Sequence, residues 1–250
     1  MAAGATDGVK SVTRVFDLLE LIADAGGDVT LSELSAAADL PLPTIHRLLR
    51  TLVSRGYARQ LQNRRYALGP RLVRLGEVAN RKFGQIAMPQ LKELVERLGE
   101  TANLATIDGD RVIYVSQAPS PHAMRMFTEV GRRSHLHSTS VGKAILAEMD
   151  DAKVREIIAR TGMPASTDHT ITNIDALLAD LAETRKRGYA VDDNEQEIGV
   201  RCYAVSVPGM SVPTAVSVSG PVARVSGDFG ERALPVMNEV VAEISAAAGE

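Results

Sequence analysis

In the N-terminal part of the chain the apolar residues recur at helical steps. From Val12 to Ile22, the positions Val12, Val15, Phe16, Leu19 and Ile22 form one stripe, and Gly26-Gly27 ends that helix. In VTLSELSAAADL, Thr30 and Glu33 have the spacing of a capping box, and Leu31, Leu34, Ala37 and Ala38 face inward, predicting a short second helix. Asp39-Leu40-Pro41 is a turn. A third helix carries Pro43 in its first turn, runs to about Arg55 and stops at Gly56. Its apolar face is Ile45, Leu48, Leu49 and Leu52; Pro43, Thr44, Arg47, Arg50 and Ser54 point the opposite way, with His46 at the boundary. YARQLQNRRYALG then reads as two short strands around Gln62-Asn63. Short helices followed by a hairpin predict a winged helix-turn-helix over residues 1–69.

From Pro70 to Ile86 the apolar residues Leu72, Leu75, Ala79, Phe83 and Ile86 again keep a spacing of three and four. So small a domain offers this stripe no partner. It predicts a linker helix over 70–88 that also packs against another protomer; the alternative is an ordinary core helix of the next domain. After Met88-Pro89 the pattern changes. QLKELVERLGE predicts a separate helix, and NLATIDGDRVIYVSQ a hairpin turning at Asp108-Gly109-Asp110. AMRMFTEVG, YAVDD, GVRCYAVSV and PTAVSVSG predict strands. SVGKAILAEMDDAKVREIIARTG, NIDALLADLAETRKRG and GERALPVMNEVVAEISAAAG predict helices. Hairpins with segregated helices mean an α+β domain around an antiparallel sheet over 89–250.

Charge sharpens the reading of the third helix. The net charge is −3, yet Leu40 to Gly76 holds eight arginines (Arg47, Arg50, Arg55, Arg59, Arg64, Arg65, Arg71, Arg74) and no Asp or Glu. That segment is +8 and the rest of the chain −11. A solvated face normally mixes signs; an acid-free run of planar guanidinium forks suits phosphates and guanine edges. Thr44, Arg47 and Arg50 are expected in the major groove of DNA, and Arg55, Arg59, Arg64 and Arg65 on phosphates from the helix end and wing.

Composition excludes other classes. No run approaches the roughly 20 apolar residues of a membrane span, and the N-terminus lacks the charged and apolar regions of a signal peptide. The single cysteine, Cys202, rules out an internal disulfide framework and fits a reducing cytoplasm, the expected location. Tryptophan is absent, which argues against a carbohydrate or aromatic-cage binder.

Two stretches of the C-terminal half carry candidate chemistry. Ser138, Thr139 and Ser140 begin a helix, where free N–H groups and the helix dipole favour a carboxylate; plain capping by Ser138 or Ser140 is the alternative. In AVSVSG, Ser217 and Ser219 share one face of a strand and Val216 and Val218 the other. Two inward hydroxyls need partners, supplied by a polar ligand or water, unless the strand is an exposed edge.

Six stretches taken in order resemble the IclR family of bacterial transcriptional regulators, over about Gly8 to Ala248: SVTRVFDLLELI, LPLPTIHRLLRTLVSRGYAR, YALGPRLVRLG, HSTSVGKAILA, RGYAVDDNEQEIGVRC and AVSVSGP. The resemblance implies a winged helix-turn-helix, a linker helix and an effector-binding domain similar to the GAF or profilin fold. It also implies dimers that pair into tetramers on double-stranded operator DNA, with affinity set by a small metabolite. Carried over residue by residue, the effector pocket comprises Met126 as apolar wall, Ser140, Val141, Asp192, Cys202, Ser217 and Ser219. Asp192 would repel a carboxylate, so it is expected to accept from a ligand hydroxyl or a side-chain donor.

Three other readings compete with this one. His122, His135 and His137 invite a metal, but no acid or cysteine stands at a recognised ligand spacing. Cys202 as nucleophile with His137 as base is the enzyme alternative, and no activating constellation accompanies it. A sensor using its basic surface on a partner protein is the third possibility. The expectation is therefore a DNA-binding regulator without metal, cofactor or catalysis, answering to a small carboxylate.

Overall fold

The computed structural model describes residues 9–248. Two compact units divide between Ala79 and Asn80. The first contains α1 (Lys10–Asp24), β1 (Asp28–Val29), α2 (Leu31–Ala38), α3 (Leu42–Ser54), β2 (Ala58–Gln60) and β3 (Tyr66–Leu68). The strands form an antiparallel sheet in the order β1-β3-β2, so the expected hairpin gains a third strand from the end of the α1–α2 connection. Leu18, Ile22, Leu34, Ile45 and Leu49 fill its core.

The capping box is present: the Glu33 amide donates to the Thr30 hydroxyl, and the Thr30 amide donates to Glu33 Oε2 at 2.7 Å. The stripe on α1 differs from the expected one. Leu18 and Ile22 are buried with Val15 and Leu19 against them, whereas Val12 and Phe16 are exposed, at 50% and 62%. The periodicity was right; the helix carries a second apolar row, Val9-Val12-Phe16, and the domain core uses the first.

Helix α4 (Arg71–Leu98) is continuous, so the break expected at Met88-Pro89 does not occur. Pro89 stands inside the helix, and Ala87, Leu91 and Leu94 on the same turns enter the core of the second unit. Burial of that row outweighs the one hydrogen bond a proline withholds. The side chains of Phe83 and Ile86 lie outside the described residues.

The second unit is built on a six-stranded antiparallel sheet in the order β6-β5-β4-β9-β8-β7. Its strands are β4 (Thr101–Asp108), β5 (Arg111–Ala118), β6 (Arg133–His135), β7 (Ala190–Asp193), β8 (Val200–Val207) and β9 (Thr214–Pro221). One face carries Leu104, Val205, Val216 and Val218 and packs against the end of α4 and α8 (Phe229–Ala248). The other carries Ala105, Ala190, Ala204 and Ala215 beneath α5 (Ser140–Ala147), with α6 (Asp151–Thr161) and α7 (Ile174–Arg187) outside it. Alanines there let α5 lie close to the sheet. The residues of AMRMFTEVG form no strand: the edge beside β5 is taken by β6, and Met124 and Phe127 are exposed. Among the described residues no helix is long and apolar enough to cross a membrane.

Candidate functional site

On α3, Ile45, Leu48, Leu49 and Leu52 are buried, and this fixes what the other side presents. Pro43, His46, Arg47 and Arg50 are exposed and Thr44 is half-buried. The first turn holds no acid. His46, Arg47 and Arg50, with Thr51, Ser54, Gln60 and Tyr66, line a groove of about 480 Å³ between α3 and the wing strands. Thr51 and Gln60 were not foreseen; Gln60 reaches the groove only because β2 folds back beside α3. The Thr51 hydroxyl donates to the Arg47 carbonyl at 3.2 Å. The guanidinium groups of Arg47 and Arg50 pair with nothing among the described residues.

The four flanking arginines divide. Arg55, Arg59 and Arg64 are exposed, Arg64 at a wing turn with φ 63°. Arg65 is not a free cation. Its guanidinium is ion-paired with Asp28 and with Glu33, the latter at 3.2 Å, and also donates to the Asp28 carbonyl. Its charge is spent holding β3 to the start of α2, which corrects its expected place on a phosphate.

A second constellation lies on the sheet face beneath α5. Register places Thr101, Ser219, Cys202 and Asp192 in one row across β4, β9, β8 and β7, with Asn103 and Ser217 in the next. Ser217 and Ser219 are buried on a central strand, so the edge-strand alternative fails. Their partner is Asn103, whose Nδ2 lies 3.4 Å from each hydroxyl while its Oδ1 accepts from Gln117 at 3.0 Å. Neither amide was foreseen as a site residue.

Thr139, not Ser138 or Ser140, caps α5: its hydroxyl accepts from the Gly142 amide. Ser138 instead donates to Gln196 at 3.0 Å. Ser140 is buried at the first turn, and its hydroxyl makes no hydrogen bond among the described residues. Val141 is fully buried in the packing under α5. Met126 is half-buried in the connection after β5, its carbonyl accepting from the Thr101 hydroxyl at 3.0 Å.

Asp192 is buried, and its Oδ1 accepts from the main-chain amides of Glu195 and Gln196 at 2.9 and 3.2 Å. The expected side-chain donor is thus replaced by a turn. Burial, reinforced by Glu195, pushes its carboxyl up to about 7. Burial and the Asp192 charge push the Cys202 thiol up as well, the reverse of nucleophile activation. The one buried cation nearby among the described residues, Lys143, is held by Glu195 at 2.5 Å and Asp180 at 3.0 Å.

Both halves of the chain match models of one family: residues 11–62 the IclR helix-turn-helix domain, and residues 77–246 the bacterial transcriptional regulator IclR C-terminal domain. The chain belongs to the IclR family. It is 36% identical to the transcriptional repressor IclR of Escherichia coli over 249 residues, covering 95% of this chain and 91% of that one. It is 37% identical to the HTH-type transcriptional regulator BhcR of Paracoccus denitrificans, over 96% of this chain and 87% of that one. A crystal structure of an IclR transcriptional regulator from Alicyclobacillus acidocaldarius superposes with a TM-score of 0.85 at 30% identity, covering 97% of this chain and all of the other. The protein is a DNA-binding transcriptional regulator of the IclR family.

In this IclR-family chain His135 and His137 are held toward the neutral form. Burial first, then Arg111, holds His135 down to about 4, and burial also lowers His137. The His137 Nε2 donates to the Pro164 carbonyl at 3.2 Å, and its ring stands edge-on to His135 at 5.2 Å. Among the described residues no group of three or more His, Cys, Asp or Glu could hold a metal ion.

Proposed function

We propose that this regulator reads its operator with α3 and that a small organic acid, held beneath α5, sets the operator affinity. What carries the DNA reading is the unpaired, acid-free face of α3. Pro43, Thr44, His46, Arg47 and Arg50 face the major groove, and Arg55, Arg59 and Arg64 meet phosphates. The protein acts in the cytoplasm, where operator DNA lies.

The ligand reading is supported by the polar row on the sheet. Ser140, Asp192, Cys202, Ser217 and Ser219 line the site, with Asn103 and Gln117 added, and Met126 and Val141 as apolar wall. Two further apolar rows favour a homodimer, or a dimer of dimers. They are Val9-Val12-Phe16 at the start of α1, and Leu75 and Val78 on the first turns of α4, all at least half exposed. Residues 70–88 would serve as linker, and the ligand would act by favouring one arrangement of paired reading heads.

The test is operator binding by an Arg47→Ala variant. Loss of one bidentate base contact should cost about 1–3 kcal/mol, a ~5- to 150-fold loss of specific affinity, with folding unchanged. Full specific binding by the variant removes α3 from the groove.

A further inference from the structure

A count of charges beneath α5 bears on how an acid could be held there, and it rests on the reading of that face as the ligand site. We propose that an acidic ligand enters this site together with one proton, which it shares with Asp192.

The groups facing Asp192 come from each element packed around it. They are the Cys202 thiol on β8, the Tyr114 phenol on β5, Glu195 in the following turn and Lys143 on α5, with Glu197 beyond Cys202. Lys143 is the only cation in that set, and two carboxylates, Glu195 and Asp180, already claim it. With all four carboxylates (Asp192, Glu195, Glu197 and Asp180) ionised, the cluster carries one positive and four negative charges. A ligand carboxylate would add a fifth negative charge, with Lys143 already claimed.

Two carboxylates forced together in a desolvated site cannot both stay ionised; one proton shared between them removes the repulsion. The Asp192 side chain is arranged for this. Oδ1 is committed to two main-chain amides, which leaves Oδ2 to hold the proton against the ligand. The neighbouring hydroxyls donate to neutral and charged acceptors alike. Tyr114, half-buried amid buried neighbours, makes no side-chain hydrogen bond among the described residues. A carboxyl already raised to about 7 takes up that proton near neutral pH at little cost. The proton comes from water, and no covalent bond in the ligand changes.

The experiment has two arms on the full-length protein. The first follows the carboxyl carbon of Asp192 by NMR in the ligand-free chain, using Asp192→Asn to assign the signal. A midpoint within about one pH unit of neutrality supports the proposal, and an ordinary acidic midpoint overturns it. The second measures binding of pyruvate, lactate and benzoate, each beside its neutral amide, as a function of pH. Any acid that binds should lose affinity close to ten-fold per pH unit above the Asp192 midpoint, and the slope should vanish in Asp192→Asn. A pH-independent acid affinity in the wild type, or an amide binding as well as its acid, overturns the shared proton and leaves the ligand site standing. Failure of every acid at every pH instead overturns the small-acid reading on which the proposal rests.

Discussion

Arg65 shows how far a single side chain can be read from sequence. It stands in a stretch whose only charges are positive, and its partners Asp28 and Glu33 lie 37 and 32 positions away. Nothing local could reveal the pairing. Arg59 and Arg65 should therefore separate on substitution. Arg59→Ala should lower the slope of log affinity against log salt by about one and leave thermal stability unchanged. Arg65→Ala should lower the unfolding midpoint and leave the salt slope close to that of the wild type. Equal slopes lost in both variants would put Arg65 back on the DNA. Asp192 carries a second test at this scale. Its carboxyl is raised from 3.8 to about 7 in the folded chain, so the native state binds the extra proton between those values. Stability then falls as pH climbs through that window, by up to about 4 kcal/mol, and is level above it. Asp192→Asn keeps an oxygen for the two amides, so its advantage in thermal unfolding should grow from pH 4 to pH 7 and then hold constant.

At the scale of elements, α3 was legible because three local signals agree: apolar spacing, proline in the first turn and glycine after the last. The start of α5 was half legible. Three hydroxyl residues in a row announce a cap without saying which one serves, and the choice of Thr139 depends on its contact with the His135 carbonyl. Gly142 in the same turn is required by packing. A Cβ there would fall onto the carbonyl oxygen and backbone of Leu136, which cannot rotate aside. Gly142→Ala should destabilise the second unit by about 3 kcal/mol or more, seen as an early unfolding step by circular dichroism. An unchanged melt would mean that α5 can shift bodily. The strand expected for AMRMFTEVG failed for a different reason: alternation supplies a face but cannot supply a neighbouring edge.

For the whole molecule, order along the chain and the antiparallel sheet were readable, and the boundary near Pro89 was not. Proline is a strong local signal, but the row Ala87, Leu91, Leu94 commits the turns on either side of it to the core. A fragment beginning at residue 99 should thus aggregate, having lost two fully buried leucines worth about 2–5 kcal/mol each, whereas one beginning at residue 80 should stay monodisperse in size-exclusion chromatography. Of the candidate ligand face, the serines were legible from their own chemistry, whereas Asp192, Cys202, Met126 and Val141 came only from the family resemblance. Asn103 lies 114 and 116 positions from the hydroxyls it bonds, and only the sheet brings them together. The buried Lys143 with Glu195 and Asp180 draws on three separate segments in the same way. Losing one member strands a charge, whereas replacing all three with apolar side chains does not. These three positions should therefore be inherited as a set, and related chains that carry a leucine in place of the lysine should be found to have surrendered both acids with it.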